Sequence, residues 1–304
     1  MEIHIHPHRC PPGIHRDQRG LGKKWILYLW KFLLLLPTVI FSGISPLPAQ
    51  TDNTQIKNVA ADTGSFLRSF DNTKIYYEIK GSGRPVVLVH GFIVNSQTWK
   101  RTALYNDLLR AGYKVIIVDL RGNGLSDKPH TPEAYENDAE AKDIMALLKK
   151  MHIKKYSAVG YSRGSIIVSR LLVLDKKINK AVMGGMGAEF TNPEWPRRIM
   201  FYKALSGEPV KELENMVQYV KDQNLDQQAL AFLQKAQPST SKEELARVKH
   251  PVLIICGDKD ADNGSGKELA ALIHKSVYKI VPGDHNNASR SKEFSSEVIS
   301  FLQQ

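Results

Sequence analysis

From about residue 73, short β-branched apolar runs alternate with longer segments of helical period. Lys74–Lys80 (KIYYEIK) alternates at period 2 and predicts a strand, with Gly81-Ser82-Gly83 as the turn after it. Pro85–Val89 is continuously apolar, as expected of a strand covered on both faces, and Lys114–Asp119 predicts the next buried strand. Tyr156–Gly160, Ile178–Met183, Pro251–Cys256 and Ser276–Val281 predict further strands. Helical patterns fill the intervals at residues 97–111, 135–151, 165–174, 266–274 and 293–302. Strands and helices in strict alternation predict an α/β fold, a mostly parallel, doubly wound sheet with helices on both faces. The rhythm stops between residues 189 and 248, where helical patterns occur, notably Val210–Val220 and Gln227–Lys235, without a convincing strand. An all-helical insertion at that point predicts a small cap over the sheet edge where ligands bind in such folds.

The N-terminal pattern is different. Residues 25–44 (WILYLWKFLLLLPTVIFSGI) follow Lys23 and Lys24, and the compact apolar core Phe32–Phe41 leads to a small residue at Ala49. This describes a secretory signal peptide cleaved near Ala49, so the chain is expected to be exported. The competing expectation is a membrane anchor over residues 25–44, against which Lys31 and Pro37 count. The expected organisation is therefore a leader over residues 1–49 and one domain over residues 50–304.

Composition adds limits rather than direction. The 304-residue chain has an apolar fraction of 42% and carries 24% charged residues, as ordinary soluble globular proteins do. The formal charge is +11, of which +4 falls before Gln50 (six basic and two acidic residues). The remaining basic residues are dispersed without interleaved aromatics, so nucleic acid is not an expected partner; weak or anchored membrane association is compatible. Of the two cysteines, Cys10 lies in the leader and Cys256 ends an apolar run, where it reads as a small buried hydrophobe. No metal or organic cofactor is implied, because no His, Cys and carboxylate set falls at ligand spacing.

The chemistry concentrates at loops after predicted strands. Gly160-Tyr161-Ser162-Arg163-Gly164 fits Gly-x-Ser-x-Gly between a strand and a helix, the place where a sharp turn lifts a serine hydroxyl above a sheet. Ser162 is the expected nucleophile, and it requires a base. His285, in Pro282-Gly-Asp-His285 directly after a strand, is the expected base; His250 precedes a strand, and His274 falls in a predicted helix. A carboxylate must orient the imidazole, and Gly257-Asp-Lys-Asp260 offers Asp258 and Asp260. The backbone N–H groups of Arg163 and Phe92 are the expected oxyanion donors, with His90 shaping the loop that carries Phe92.

With these motifs in order, the chain resembles the α/β-hydrolase family, specifically its capped serine-hydrolase branch of esterases, lactonases and haloperoxidase-like enzymes. The residues that carry the resemblance are His90-Gly91, Asp119-Leu-Arg-Gly-Asn-Gly-Leu-Ser126, Gly160–Gly164, Gly257–Asp260 and Gly283-Asp-His285. In that family the acid closes a Gly-x-x-Asp turn, which implies Asp260 rather than Asp258, while the Asp119–Ser126 loop looks structural. Arg163 departs from the uncharged residues common there, and its side chain is expected to reach a cap carboxylate or an anionic substrate group. A serine argues against the related enzymes with a carboxylate nucleophile. The implied activity is hydrolysis of a carboxylic ester, or a related acyl bond, in a small-molecule substrate. An acyltransferase with the same residues, and a non-catalytic binding or signalling protein on the same fold, are the alternatives.

Overall fold

The computed structural model describes residues 64–304. The leader, the apolar segment 25–44, the expected cleavage site near Ala49 and Cys10 all lie outside the described residues. Among the described residues, eight strands form one sheet: β1 (Ser65–Arg68), β2 (Lys74–Lys80), β3 (Pro85–Val89), β4 (Lys114–Val118), β5 (Tyr156–Tyr161), β6 (Ile178–Gly184), β7 (Val252–Gly257) and β8 (Ser276–Val281). Their spatial order is β1-β2-β4-β3-β5-β6-β7-β8. The first two pairings are antiparallel and the remainder parallel.

Successive side chains of the central strands point to opposite faces. Val87, Val89, Ile116 and Val118 pack beneath α3 (Ala139–Lys150) and α4 (Arg163–Leu174). Val86, Leu88, Val115 and Ile117 pack with α2 (Ala103–Arg110) and α10 (Lys292–Gln303) on the other side. Both faces are therefore covered, which accounts for the unbroken apolar runs in these strands. A short helix, α1 (Gln97–Lys100), precedes α2, and α9 (Gly266–Ala271) joins β7 to β8.

Between β6 and β7 the chain forms α5 (Pro196–Leu205), α6 (Glu214–Asp222), α7 (Gln227–Lys235) and α8 (Lys242–Ala246). Leu205, Val220, Leu230 and Leu233 of this segment form their own small apolar cluster with Tyr135.

Three elements differ from the sequence pattern. The helix expected over residues 97–111 breaks before Thr102, whose backbone is extended and whose hydroxyl accepts from Tyr105 N–H at the start of α2. The helix expected from Tyr135 starts only at Ala139, because Asn137 and Asp138 adopt left-handed backbone, at φ 55° and 59°. The helix expected over residues 266–274 ends at Ala271, which leaves His274 in the turn before β8.

Candidate functional site

The loops that follow β3, β5, β7 and β8 meet at one edge of the sheet, since these strands are parallel and in register at their C-terminal ends. Ser162 sits where β5 turns into α4, at φ 53° and ψ −125°. A side chain at that combination costs roughly 1–3 kcal/mol and persists only where its surroundings hold it. Here Ser162 N–H donates to Gly184 O at 2.8 Å, and the flanking residues leave no space for relaxation. A Cβ on Gly160 would collide with the Gly164 carbonyl, and one on Gly164 with the Val89 carbonyl, so both glycines are required by close backbone approach.

His285 follows β8, and its backbone carbonyl accepts from the Tyr161 hydroxyl at 2.8 Å. Its ring lies against that of Tyr161, with centroids 5.4 Å apart. The imidazole Nε2 stands 2.9 Å from Ser162 Oγ, and Nδ1 stands 3.0 and 3.1 Å from the two oxygens of Asp260. A carboxylate can only accept, so Nδ1 carries the proton and Nε2 is left to accept from the Ser162 hydroxyl. The Asp260 side chain is 2% exposed, which keeps water from competing for this contact. Asp258 acts elsewhere, since its carboxylate accepts from Gly283 N–H at 2.8 Å and ties the loop after β7 to the loop after β8. The structure thus brings Ser162, His285 and Asp260 into one hydrogen-bonded chain and leaves Asp258, His250 and His274 out of it.

The loop after β3 lies beside the serine. A Cβ on Gly91 would touch Ser162 Cβ at 3.4 Å, and Phe92 and Ser162 line the same cavities. His90 organises this loop from inside the protein. Its Nδ1–H donates to Gly91 O at 2.7 Å, and its Nε2 accepts from Leu120 N–H at 3.0 Å. Burial holds this imidazole below the usual histidine pKa, so it stays neutral as both bonds require. Arg163 is the first residue of α4, and its amide belongs to the N-terminal turn whose N–H groups have no intrahelical acceptor. The Asp119 carboxylate is structural: it accepts from Ser96 N–H at 2.8 Å and Leu125 N–H at 2.7 Å.

The Arg163 side chain departs from expectation. It pairs with both oxygens of Glu140, at 2.5 and 2.6 Å, and donates to the Leu233 carbonyl at 3.2 Å. Glu140 lies on α3, so the carboxylate that Arg163 reaches is not in the helical insertion; only the backbone acceptor Leu233 is. Burial selects this pairing, because a guanidinium at 5% exposure requires a compensating charge.

Open space around Ser162 falls into two parts. An inner pocket of about 70 Å³ runs beneath α5 and α7, and an outer cleft of about 490 Å³ runs past His285. Phe92, Arg197 and Phe201 border both. The sequence pattern does not single out Trp195, Arg197, Arg198 or Phe201; their only signal is membership of a helical segment of ordinary composition.

Residues 84–204 match the family model described as alpha/beta hydrolase fold. A Synechocystis protein that carries the name of a non-heme chloroperoxidase is 29% identical over 265 residues, 75% of this chain and 95% of that one. A bromoperoxidase from Bacillus anthracis superposes with a TM-score of 0.64 at 26% identity, over 80% of this chain and 100% of the other. An esterase from a Rhodococcus species does so with a TM-score of 0.60 at 26% identity, over 79% and 98%. The chain has the α/β-hydrolase fold, and the family-model match and these relatives support an enzyme of the hydrolase type.

Proposed function

We propose that the protein is a serine hydrolase that cleaves a carboxylic ester through an acyl-enzyme on Ser162. The observation that carries this reading is the chain from Ser162 Oγ through His285 to Asp260, with contacts of 2.9 and 3.0 Å. In the first half-reaction Ser162 Oγ bonds to the ester carbonyl carbon while His285 Nε2 takes its proton. The oxyanion that forms accepts from the Phe92 and Arg163 N–H groups. Collapse breaks the bond to the alkoxy oxygen, which leaves with the proton from His285. Water then adds to the acyl-enzyme with His285 again as base, and the carboxylic acid departs as Ser162 recovers its proton. Asp260 orients the imidazole and stabilises its charged form throughout.

The haloperoxidase names of relatives favour a second outcome for the same intermediate. Hydrogen peroxide in place of water would attack the acyl group and release a peroxycarboxylic acid. Both outcomes require the acyl-enzyme.

The test is turnover of p-nitrophenyl esters of graded chain length by wild type, Ser162→Ala and His285→Ala, with fluorophosphonate labelling in parallel. Turnover and labelling that both vanish in Ser162→Ala are expected. Activity that survives this substitution rejects the mechanism. Adding an alcohol and, separately, peroxide shows which acceptor takes the acyl group. We further propose that residues 25–44 direct export, with processing near Ala49; N-terminal sequencing of protein recovered from an expressing cell tests this.

A further inference from the structure

The two spaces around Ser162 have different chemistry, and the position of His285 assigns them roles. In the proposed reaction His285 must hand its proton to the departing alkoxide, so the leaving group lies where His285 is within reach. His285 borders the outer cleft, whereas the inner pocket is bordered by Ser162 without His285. The acyl chain therefore occupies the inner pocket.

That pocket is cationic. Arg163, Arg197 and Arg198 line it, and no carboxylate among the described residues does. Arg163 is neutralised by Glu140, but the other two arginines are not matched in this way. Arg198 directs its fork at neutral acceptors, the carbonyls of Pro193 at 2.6 Å and Lys235 at 2.8 Å, and its buried Nε has no hydrogen-bond partner among the described residues. Arg197 lies over the Phe201 ring at 5.0 Å. Its nearest carboxylate among the described residues is Asp262 at 3.8 Å, a side chain 51% exposed on the rim, where solvent screens most of the attraction. Among the described residues, the Gln234 and Gln237 side-chain amides, also in the lining, make no hydrogen bond within the protein. Two guanidinium groups without a buried carboxylate partner, Arg198 with its buried Nε unpartnered and Arg197 facing only the half-exposed Asp262, complement an anion together with the idle amide donors. A purely hydrocarbon acyl chain would leave both unmatched.

We infer that the inner pocket selects an acyl chain that ends in a carboxylate, with Arg197 as the residue that reads it. The substrate class is the ester, or lactone, of a short dicarboxylic acid whose second carboxylate is free. The inference rests on the acyl-hydrolase reading and adds its specificity. The walls of Met186 and Trp195 and the modest volume restrict the chain to a few carbons.

The experiment compares monoethyl glutarate with ethyl hexanoate, a neutral ester of similar length, using acid release by wild type, Arg197→Gln and Arg197→Lys. Wild type is expected to favour the charged ester by about tenfold or more in kcat/KM, chiefly through KM. Arg197→Gln is expected to erase that ratio, and Arg197→Lys to retain part of it. Thermal unfolding of each variant separates loss of fold from loss of recognition, and the wild-type ratio stands whether or not a variant folds. Wild type that turns over ethyl hexanoate as well as the hemiester overturns the inference while leaving the hydrolase reading intact. An undiminished ratio in folded Arg197→Gln removes Arg197 from the role. No turnover of either ester together with no fluorophosphonate labelling overturns the acyl-enzyme reading, and the specificity with it.

Discussion

The floor and the roof of the site are built on opposite principles. The floor is the ends of β3, β5, β7 and β8, where residues such as Val87, Leu88 and Val159 are completely buried and the turn at Ser162 is strained. In the roof, α5 and α6 bury little, Ala204 and Leu205 of the one and Val220 of the other, while α7 buries Ala229, Leu230, Ala231 and Leu233 largely in the small cluster of the segment itself. Polar contacts fasten it to α4: Arg163 to Leu233 O, Ser169 to Thr240 at 2.8 Å, and Arg170 to Glu244 at 3.0 Å. A close-packed floor holds reacting groups to fractions of an ångström. A roof held by hydrogen bonds can change its lining residues without disturbing that geometry. The difference explains why Ser162, His285 and Asp260 reside in the floor while the cationic lining comes largely from the roof.

The comparison can be broken most severely at Asp260. Asp260→Asn keeps the shape but loses the acceptor pair that fixes the imidazole, and kcat on p-nitrophenyl acetate should fall on the order of 10⁴-fold. A loss below about tenfold would return Asp258 to consideration.

Next in size is the junction of floor and roof. Arg163→Met leaves Glu140 buried without its partner and should lower unfolding free energy by about 3–5 kcal/mol in urea titrations. Adding Glu140→Leu should recover most of that loss, because the pair is then replaced by apolar surface. A double variant as unstable as the single one would mean that Arg163 matters through something other than Glu140.

A smaller, opposite-signed effect separates the two regions directly. At position 162, Gly should be more stable than Ala by about 1 kcal/mol, since both lack the hydroxyl but only Ala keeps a Cβ at φ 53°. At exposed Lys203 on α5 the same pair should reverse, Ala exceeding Gly by about 1 kcal/mol, as regular helix requires. Equal signs at both positions would show that the turn at Ser162 is not under strain.

The finest test concerns His90. Its folded imidazole is less basic than the unfolded one, so the unfolded chain takes up the proton first as pH falls. Stability present above about pH 6.5 should therefore decline below it, by up to about 1.4 kcal/mol per pH unit from this group. His90→Gln should flatten that slope in thermal melts taken between pH 7 and 5. An unchanged slope would place the titration elsewhere.

The positions of Ser162, His285 and the Asp258/Asp260 pair were legible because each lies directly after a strand that its own apolar run announces. The choice between the two aspartates was not in the run itself. It depends on which carboxylate faces Gly283 N–H and which faces the imidazole, a matter of two loops meeting. Strand β1 is not announced by the sequence, because four residues at a sheet edge carry too short a period to register. The breaks before Thr102 and Ala139 are not visible in the apolar spacing, which continues past them and is overridden by side-chain capping and two left-handed residues.

By itself the sequence determined the alternation of strands and helices, the helical interruption after β6 and the order of Ser162, Asp260 and His285 along the chain. All of these are short-range properties, set by periodicity and by glycines that a turn demands. Only the tertiary structure decided that Arg163 is paired with Glu140, 23 residues earlier, while Arg197 and Arg198 are not matched to a buried carboxylate. The net charge of a pocket depends on which partners folding brings within a few ångströms, and no local pattern encodes that.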